Sequence, residues 1–471
     1  LLVGALGELL FSRTRIPEAI WLIGTGLVLR MTGVVPDSVL ETITPSFAVV
    51  TLVIVLFEGG SRLNLGELAR DAPRATIMSI TAFVGAVLTV ALFSMGLSAI
   101  GVLPEWSWKH RLMLGAILGG KSSLILGPSL DFTHSKTPLS RTIHIESSLN
   151  DALCVMLAIP LIDLLATGGA ADTHSAVAVL QSVGIGVGLG LMIGWTWIPI
   201  LRVLGNNPRG YPITLAALLL VYAIVRGAGG SPAMAILAFA LIVGNARVLT
   251  KWFFRGGKTS AGKQIDAPDD IRLSGSIKLA HSQINFIVKT LFFTYMGLML
   301  TPPWSLLIMG VFLGILLLIT RWPAVGFGLR GVGFHEEDRR TAMICCPRGM
   351  AAGALATMPF LAGVPGTENL HSLVFSTIAT SIVLFTIGFR QVRGTWPKPS
   401  PRPNAPSNPP PELSEAEHIT SARAAELDLD EPILPDHIAY PSPAATPSVS
   451  RPVATRPVEP EATSESTASP A

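Results

Sequence analysis

The chain has 471 residues, of which 49% are hydrophobic and only 14% are charged, and its formal net charge is +3. Ordinary soluble domains carry about 25% charged residues, so the composition excludes that class. Apolar blocks of about 20 residues recur, and each is long enough to cross a bilayer core of about 30 Å. We therefore predict an all-α polytopic membrane protein. The small net charge carries no information about partners beyond the lipid bilayer, and we expect no nucleic acid among them.

Proline, glycine and charged clusters divide the apolar sequence into thirteen predicted spans. The first span is predicted to be truncated, because its apolar segment is too short to cross a membrane and Arg13 and Arg15 follow at once. The predicted spans lie near 1–12, 17–34, 41–58, 75–103, 111–130, 142–166, 177–204, 211–226, 231–247, 281–300, 303–326, 341–362 and 370–389.

Lysine and arginine are concentrated in alternate loops between these spans, the richest being 247–263. The other loops, such as "TGGAADTHSA" and "AGVPGTEN", are nearly free of both residues. Cytoplasmic loops carry this excess of positive charge, so we predict an N-terminus outside the cell (inner) membrane and a cytoplasmic C-terminus.

Residues 391–471 have a different composition and hold almost half of the 36 prolines. Such a segment cannot bury enough apolar surface to fold alone. The prediction is a transmembrane domain over 1–390 and a disordered, Pro-rich cytoplasmic tail over 391–471.

The stretch "HIESSLNDALCV", residues 144–155, places charge inside an apolar run. Glu146 and Asn150 are four residues apart and share a helix face, and Asp151 lies about 100° further round. A charged side chain at a helix centre in lipid costs roughly 2.5–3.5 kcal/mol, so these groups should face a protein interior or a wet cavity. The alternative, a helix that begins only at Asp151, leaves too few apolar residues before Pro160.

Two further runs are predicted to be interrupted helices. In "CCPRGMAAGALATMPF" Arg348 lies between a proline and a glycine, and in "GAILGGKSSLILGPSL" Lys121 lies between a glycine pair and the serines Ser122 and Ser123. Broken helices at membrane depth occur where they line a site. A buried guanidinium needs a carboxylate partner, and both Glu146 and Asp151 are available to Arg348. The alternatives are an arginine at a helix mouth and a lysine that extends to the membrane surface.

Glu58, in "LFEGGSRLNL", lies near the end of its span and just before Arg62. A solvated helix end and a functional carboxylate are both consistent with this position.

Together these features predict a secondary transporter. A buried carboxylate that holds either a proton or a metal cation, but not both, couples the two fluxes by competition. Monovalent cations prefer oxygen ligands, and the candidates are Asp151, which would hold the metal, and Asn150, Ser147, Ser122 and Ser123. We expect no resident cofactor. An ion channel, an intramembrane enzyme and a transport-inactive pH or ion sensor are the alternatives, although the chain has neither a filter-like loop nor an HExxH or GxSxG motif.

At these residues the chain resembles the sodium/proton exchanger family, the NhaP-like branch of the cation/proton antiporters. The blocks "ESSLNDA", "FEGGSRLNL" and "PRGMAAGALA" carry the resemblance, which covers roughly residues 1–390. It implies inverted repeats, two crossing discontinuous helices, an elevator-like cycle of a core against a dimerisation domain, and a homodimer. It also implies exchange of a monovalent cation, with Na⁺ favoured over K⁺ or Li⁺, for a proton.

The resemblance also assigns roles to individual residues. Asp151 would bind the proton and the cation with Asn150 as its support, and Glu146 would pair with Arg348. Glu58 matches an acidic position of the family. Lys121 departs from the family pattern, which usually has threonine there, and we predict that its ammonium group pairs with Asp151 and competes with the transported cation.

Overall fold

The computed structural model describes residues 2–7, 16–63, 65–122, 125–126, 138–168, 173–204, 210–246, 249, 275–300, 302–330 and 334–393. Ser123 and the predicted tail beyond residue 393 lie outside the described residues. All regular secondary structure in the described part is helical. The helices are α1 (Glu18–Met31), α2 (Asp37–Arg62), α3 (Leu65–Ala99), α4 (Trp108–Gly119), α5 (Pro138–Ala166), α6 (Thr173–Leu204), α7 (Gly210–Gly227), α8 (Pro232–Gly244), α9 (Gly275–Leu298), α10 (Trp304–Ile319), α11 (Arg321–Gly328), α12 (Glu336–Ile344), α13 (Met350–Leu361) and α14 (Leu370–Arg393).

Seven helical segments in this part of the chain are long and apolar enough to cross a membrane. They are Thr42–Ser61, Arg74–Ala99, Leu139–Ala166, Val177–Leu201, Gly210–Gly227, Trp304–Gly328 and Leu370–Val392. Two shorter apolar helices, α8 and α13, accompany them. The predicted all-α polytopic membrane fold is therefore confirmed, whereas the number of thirteen spans stays a prediction.

The helices pack most extensively within two groups. The first helix group contains α1, α2 and α6 to α9, and the second contains α3 to α5 and α10 to α14. The main contacts between the groups are those of α2 with α5 and α13, and those of α5 with α6 and α8. A site between α2, α5 and α13 is therefore bounded by both groups.

Glycines allow close helix packing inside the first group. A β-carbon at Gly26 of α1 would overlap the backbone of α9 at Gly297, and one at Gly190 of α6 would overlap the backbone of α8 at Ala235. Gly186 of α6 makes a similar contact one turn earlier. The run "GIGVGLGLMIG" thus lets α6 approach α8, as small residues four positions apart do in membrane helices.

Two helices of the second group are interrupted where the sequence predicted it. Helix α4 ends at Gly119, and the chain is extended at Gly120. Between α12 and α13 residues 345–349 are likewise non-helical. The two interruptions cross, because the backbone N–H of Ser122 donates a hydrogen bond of 3.0 Å to the carbonyl oxygen of Pro347. The prediction of two crossing discontinuous helices is confirmed.

The crossing has room for only a glycine at position 349. Gly349 has an extended backbone with φ −136°, so the requirement is one of space, and a β-carbon there would overlap the Ser122 side chain. We expect Gly349→Ala to lower stability by about 1–3 kcal/mol, as overpacking does, and Ser122→Gly to restore much of it in the double variant. Melting temperatures of the purified protein in detergent test this.

The matched control for this prediction is Gly24→Ala, because a β-carbon at Gly24 of α1 meets no atom within 4 Å. Its melting temperature should stay within about 2 °C of the wild-type value. A Gly349→Ala protein as stable as the Gly24→Ala protein would show that the crossing can relax around a methyl group.

Candidate ion site

A cavity lies between the two helix groups, beside the crossing. Its volume is about 30 Å³. A cavity of roughly 10–15 Å³ is enough to hold one water molecule. It can therefore hold a partly dehydrated small ion. Its described walls are Val55, Leu56, Glu58, Gly59, Ser122, Asp151, Ala152, Val155, Leu237, Met350 and Ala351.

Three polar side chains face this mostly apolar cavity: Glu58 from α2, Ser122 from the crossing and Asp151 from α5. Glu58 is only 3% exposed, and Asn285 of α9 donates a hydrogen bond of 2.8 Å to its Oε1 atom. The interpretation of Glu58 as a solvated helix end is therefore wrong. The structure brings together three of the residues that the sequence proposed for the site.

Asp151 and the first turn of α13 border the same cavity beside the crossing. Asp151 lies against the crossing, since a β-carbon at Gly120 would be 3.4 Å from its Oδ1 atom. Helix α13 begins at Met350 without a side-chain cap, and its first two residues line the cavity. The first N–H groups of a helix lack intrahelical partners and carry the positive end of its dipole. The positive end of α13 therefore borders the cavity that Asp151 lines.

Asn150 and Ser147 lie outside the described walls of the cavity. The Asn150 side chain is fully buried, and the Ser79 hydroxyl of α3 donates a hydrogen bond of 2.7 Å to its Oδ1 atom. Its Nδ2 atom has no acceptor among the described residues. Ser147 donates 3.1 Å to the His144 carbonyl oxygen in its own helix. Roles for these two side chains as direct ligands stay predictions.

Glu146 is paired with Arg321, a residue that the sequence patterns did not single out. The Arg321 Nη1 and Nη2 atoms donate bidentate hydrogen bonds to Oε1 and Oε2 of Glu146, at 2.8 and 3.0 Å. The Arg321 Nε atom donates 2.5 Å to the Ala342 carbonyl oxygen. Both members of the pair are buried, at 1% and 0% exposure. Arginine presents a planar fork that matches a carboxylate, which explains this geometry.

The predicted pairing of Glu146 with Arg348 is therefore wrong. Arg348 instead donates hydrogen bonds from Nη1 to the carbonyl oxygens of Gly119 and Gly120, at 2.9 and 2.7 Å. Helix α4 ends at Gly119 and leaves its last carbonyls without N–H partners, and a cation at this end also complements the helix dipole. Arg348, in the non-helical segment between α12 and α13, thus stabilises the end of α4 at the crossing.

Lys121 does not pair with Asp151 as predicted. Its ammonium group pairs with Oε1 of Glu146, which it shares with Arg321. Lys121 is 2% exposed, so it does not extend to the membrane surface either.

Two positioning residues were missed for different reasons. Arg321 follows the apolar run "GILLLIT" near the end of a predicted span, where a basic residue is usual, and only its position beside a second apolar run, "WPAVGFG", indicated a buried charge. Ser79 is a single hydroxyl in an apolar helix and gave no signal that separates it from other serines.

Known proteins resemble this chain over most of its length. The family profile described as "Sodium/hydrogen exchanger, transmembrane" matches residues 1–392. A K(+)/H(+) antiporter NhaP of Alkalimonas amylolytica is 27% identical over 340 residues, which are 71% of this chain and 54% of that protein. The Na(+)/H(+) antiporter NhaS2 of Synechocystis is 22% identical over 401 residues, 81% of this chain and 67% of that protein. The chain thus spans about half the length of the first of these relatives.

The fold is shared with a solved structure. The sodium proton antiporter MjNhaP1 from Methanocaldococcus jannaschii has a TM-score of 0.63 and 17% sequence identity, and the match covers 84% of this chain and 96% of that one. At this identity the similarity establishes the architecture alone.

Proposed function

We propose that this chain, which belongs to the sodium/hydrogen exchanger family, is a multi-pass secondary transporter that exchanges a monovalent cation for a proton. The observation that carries the proposal is the small cavity at the crossing of two interrupted helices, which is lined by Asp151, Glu58 and Ser122. Interrupted helices beside a small cavity that contains a few polar groups are the usual construction of a transporter binding site.

Asp151 is the proposed common binding group. Its carboxylate accepts a proton or contributes oxygens to a cation. An apolar cavity disfavours an ionised carboxylate without a bound ion, and it equally disfavours a site that holds a proton and a cation together. Ser122 supplies a neutral oxygen, and Asn150, Ser147 and Ser123 are proposed as further contributors. Because the carboxylate serves one ion at a time, the competition couples the two fluxes.

The packing supports an elevator-like movement of one helix group against the other. The side-chain hydrogen bonds and ion pairs described around the site join helices of the same group, for example Glu58 with Asn285 and Glu146 with Arg321. The walls of the cavity between the groups are mostly apolar. Polar bonds inside each group keep it rigid, whereas apolar contacts between them allow sliding, as in shear motions. The cavity would then open to alternate sides.

The transported cation is proposed to be Na⁺ or K⁺. The family resemblance favoured Na⁺, whereas the Alkalimonas relative is named for K⁺ and the Synechocystis relative for Na⁺. We further propose a homodimer in the cell membrane, with the Lys- and Arg-rich loops and the C-terminal tail on the cytoplasmic side.

Proton movement in proteoliposomes tests the proposal. Purified protein is reconstituted with an internal pH dye, a pH gradient is imposed, and K⁺, Na⁺ or Li⁺ is added, with choline as the control. We expect at least one metal cation to collapse the gradient and choline to leave it intact. No response to any of them between about pH 6 and 9 would contradict the proposal and favour a sensor, and single-channel currents would favour a channel.

A further inference from the structure

The buried charge cluster, which we define as Lys121, Glu146, Arg321 and Arg348, contains three basic side chains and one acidic one. Lys121 and Arg321 contact Glu146, and Arg348 binds the last carbonyls of α4. The basic residues are at most 2% exposed and Glu146 is at 0%. Arginine stays protonated in proteins. With Lys121 protonated and Glu146 ionised, the four side chains carry three positive charges and one negative charge.

The positive charge of Lys121 is not needed to complete the hydrogen bonds of Glu146 or of the α4 carbonyls. Arg321 alone donates to both oxygens of Glu146. Arg348 donates to the terminal carbonyls of α4. With those two arginines in place, Glu146 is neutralised and the interruption of α4 is capped. The ammonium group of Lys121 then adds a second cation to one oxygen of a carboxylate that already has a partner.

The backbone of Lys121 borders the cavity, while its ammonium group is directed to Glu146, five residues before Asp151 on α5. The residue before Lys121 is Gly120, which faces Asp151, and the residue after it is Ser122, which lines the cavity. Two unit charges about 8 Å apart, at an effective dielectric constant of about 20, change a binding constant roughly thirtyfold. A fixed ammonium at this position therefore weakens the binding of any other cation in the cavity.

We propose that Lys121 sets the ion affinity of the exchanger, lowering the affinity of the Asp151 cavity for the transported cation and for the proton alike. The inference rests on the proposed exchange and adds to it a site of low affinity, suited to a cation that is abundant on the side from which it binds. The charged groups that face Lys121 are Glu146 and Asp151 of α5, Arg321 of α11 and Arg348 of the facing interruption. Lys121 acts through this field and not as a ligand.

A purely structural role would give a different result. If Lys121 only fastens the crossing to α5 through Glu146, its loss lowers stability and the maximal rate but does not improve cation binding. Affinity and rate must therefore be measured separately.

The experiment compares Lys121→Met, which keeps length and removes charge, with Lys121→Arg, which keeps charge. We expect Lys121→Met to lower the apparent KM for the cation tenfold or more at alkaline pH, where the proton no longer competes. The pH profile of exchange should move to higher pH, because the Asp151 carboxylate holds its proton more firmly without the positive charge of Lys121. Lys121→Arg should stay within about threefold of the wild-type KM. Lys121→Thr, a shorter neutral variant, is measured beside them in case Met disturbs packing.

A second readout does not depend on turnover. A cation that binds the folded protein stabilises it by RT ln(1 + [L]/Kd), so the dependence of melting temperature on K⁺ or Na⁺ concentration in detergent-purified protein yields Kd. A Kd at least tenfold lower in both neutral variants supports the proposal. An unchanged or higher Kd in folded Lys121→Met and Lys121→Thr overturns it. Absence of exchange and of cation stabilisation in the wild type would instead contradict the proposed function itself.

Discussion

Replacing Asp151 by asparagine is expected to abolish cation/proton exchange and to leave the protein folded. The amide is nearly the same size as the carboxylate, but it neither takes up a proton nor carries the charge that a cation requires. Asp151 is partly exposed to the cavity, and the substitution leaves the pair of Glu146 with Arg321 intact, so the melting temperature should stay near the wild-type value. Gradient collapse in proteoliposomes should fall at least a hundredfold, the scale of losing an essential proton-transfer group.

The chain offers a matched control on the same helix. Asp163 of α5 is also half-buried, but it lies twelve residues, about 18 Å, further along the helix, and outside the described walls of the cavity. Asp163→Asn should therefore retain exchange within about threefold of wild type. If Asp151→Asn kept more than about a tenth of the wild-type rate while Asp163→Asn behaved normally, Glu58 would become the leading candidate for the common binding group.

The interruptions of the two helices could be predicted because their causes are local. A glycine pair before Lys121, and a proline and a glycine around Arg348, weaken helical hydrogen bonding wherever they occur. The placement of Glu146, Asn150 and Asp151 away from lipid followed from the cost of charge in lipid, which also depends only on the surrounding sequence. These signals were sufficient to find the two interruptions and the acidic helix, whereas the crossing of the interrupted helices was implied by the family resemblance.

The ion pairs could not be predicted, because each depends on which helices are neighbours. Arg348 and Arg321 are both buried cations, and the sequence does not say which one lies beside Glu146. The packing of α11 against α3 brings Arg321 to that carboxylate, while the exposed carbonyls at the end of α4 attract Arg348. Lys121 was expected beside Asp151 from its position in the crossing alone. The direction of its side chain from the backbone decides which carboxylate it contacts, and in the structure that carboxylate is Glu146.

Glu58 illustrates the same limit on the other side of the cavity. A carboxylate near a helix end is equally consistent with solvent and with a buried site, and the deciding fact is the packing of α8 and α9 over that end of α2. The family resemblance pointed to an acidic position but did not give its environment. Burial is a property of the assembled helices and becomes visible only in three dimensions.

Removing Arg321 is expected to destabilise the protein more than Gly349→Ala or the loss of Lys121. Arg321→Met leaves the fully buried Glu146 with only the ammonium group of Lys121, which contacts one of its two oxygens. Breaking a buried ion pair by removing one partner costs about 3–5 kcal/mol, because the remaining charge is left poorly compensated. Lys121→Met should cost much less, since Arg321 still binds both carboxylate oxygens. Melting temperatures and unfolding in mixed detergent micelles measure both losses.

A triple variant separates the energy of pairing from the cost of an unpaired charge. Replacing the three directly paired residues with apolar side chains, Lys121→Met, Glu146→Leu and Arg321→Met, removes their charges together and leaves Arg348 on the carbonyls of α4. Apolar substitutes for a buried ion pair or triad are often neutral or stabilising, so the triple variant should recover most of the stability lost in Arg321→Met. A triple variant as unstable as Arg321→Met would mean that the pairs themselves hold α5 and α11 together. Recovery would instead mean that stability does not require the three charges, and that their effect on ion binding in the adjacent cavity is the better explanation for their presence.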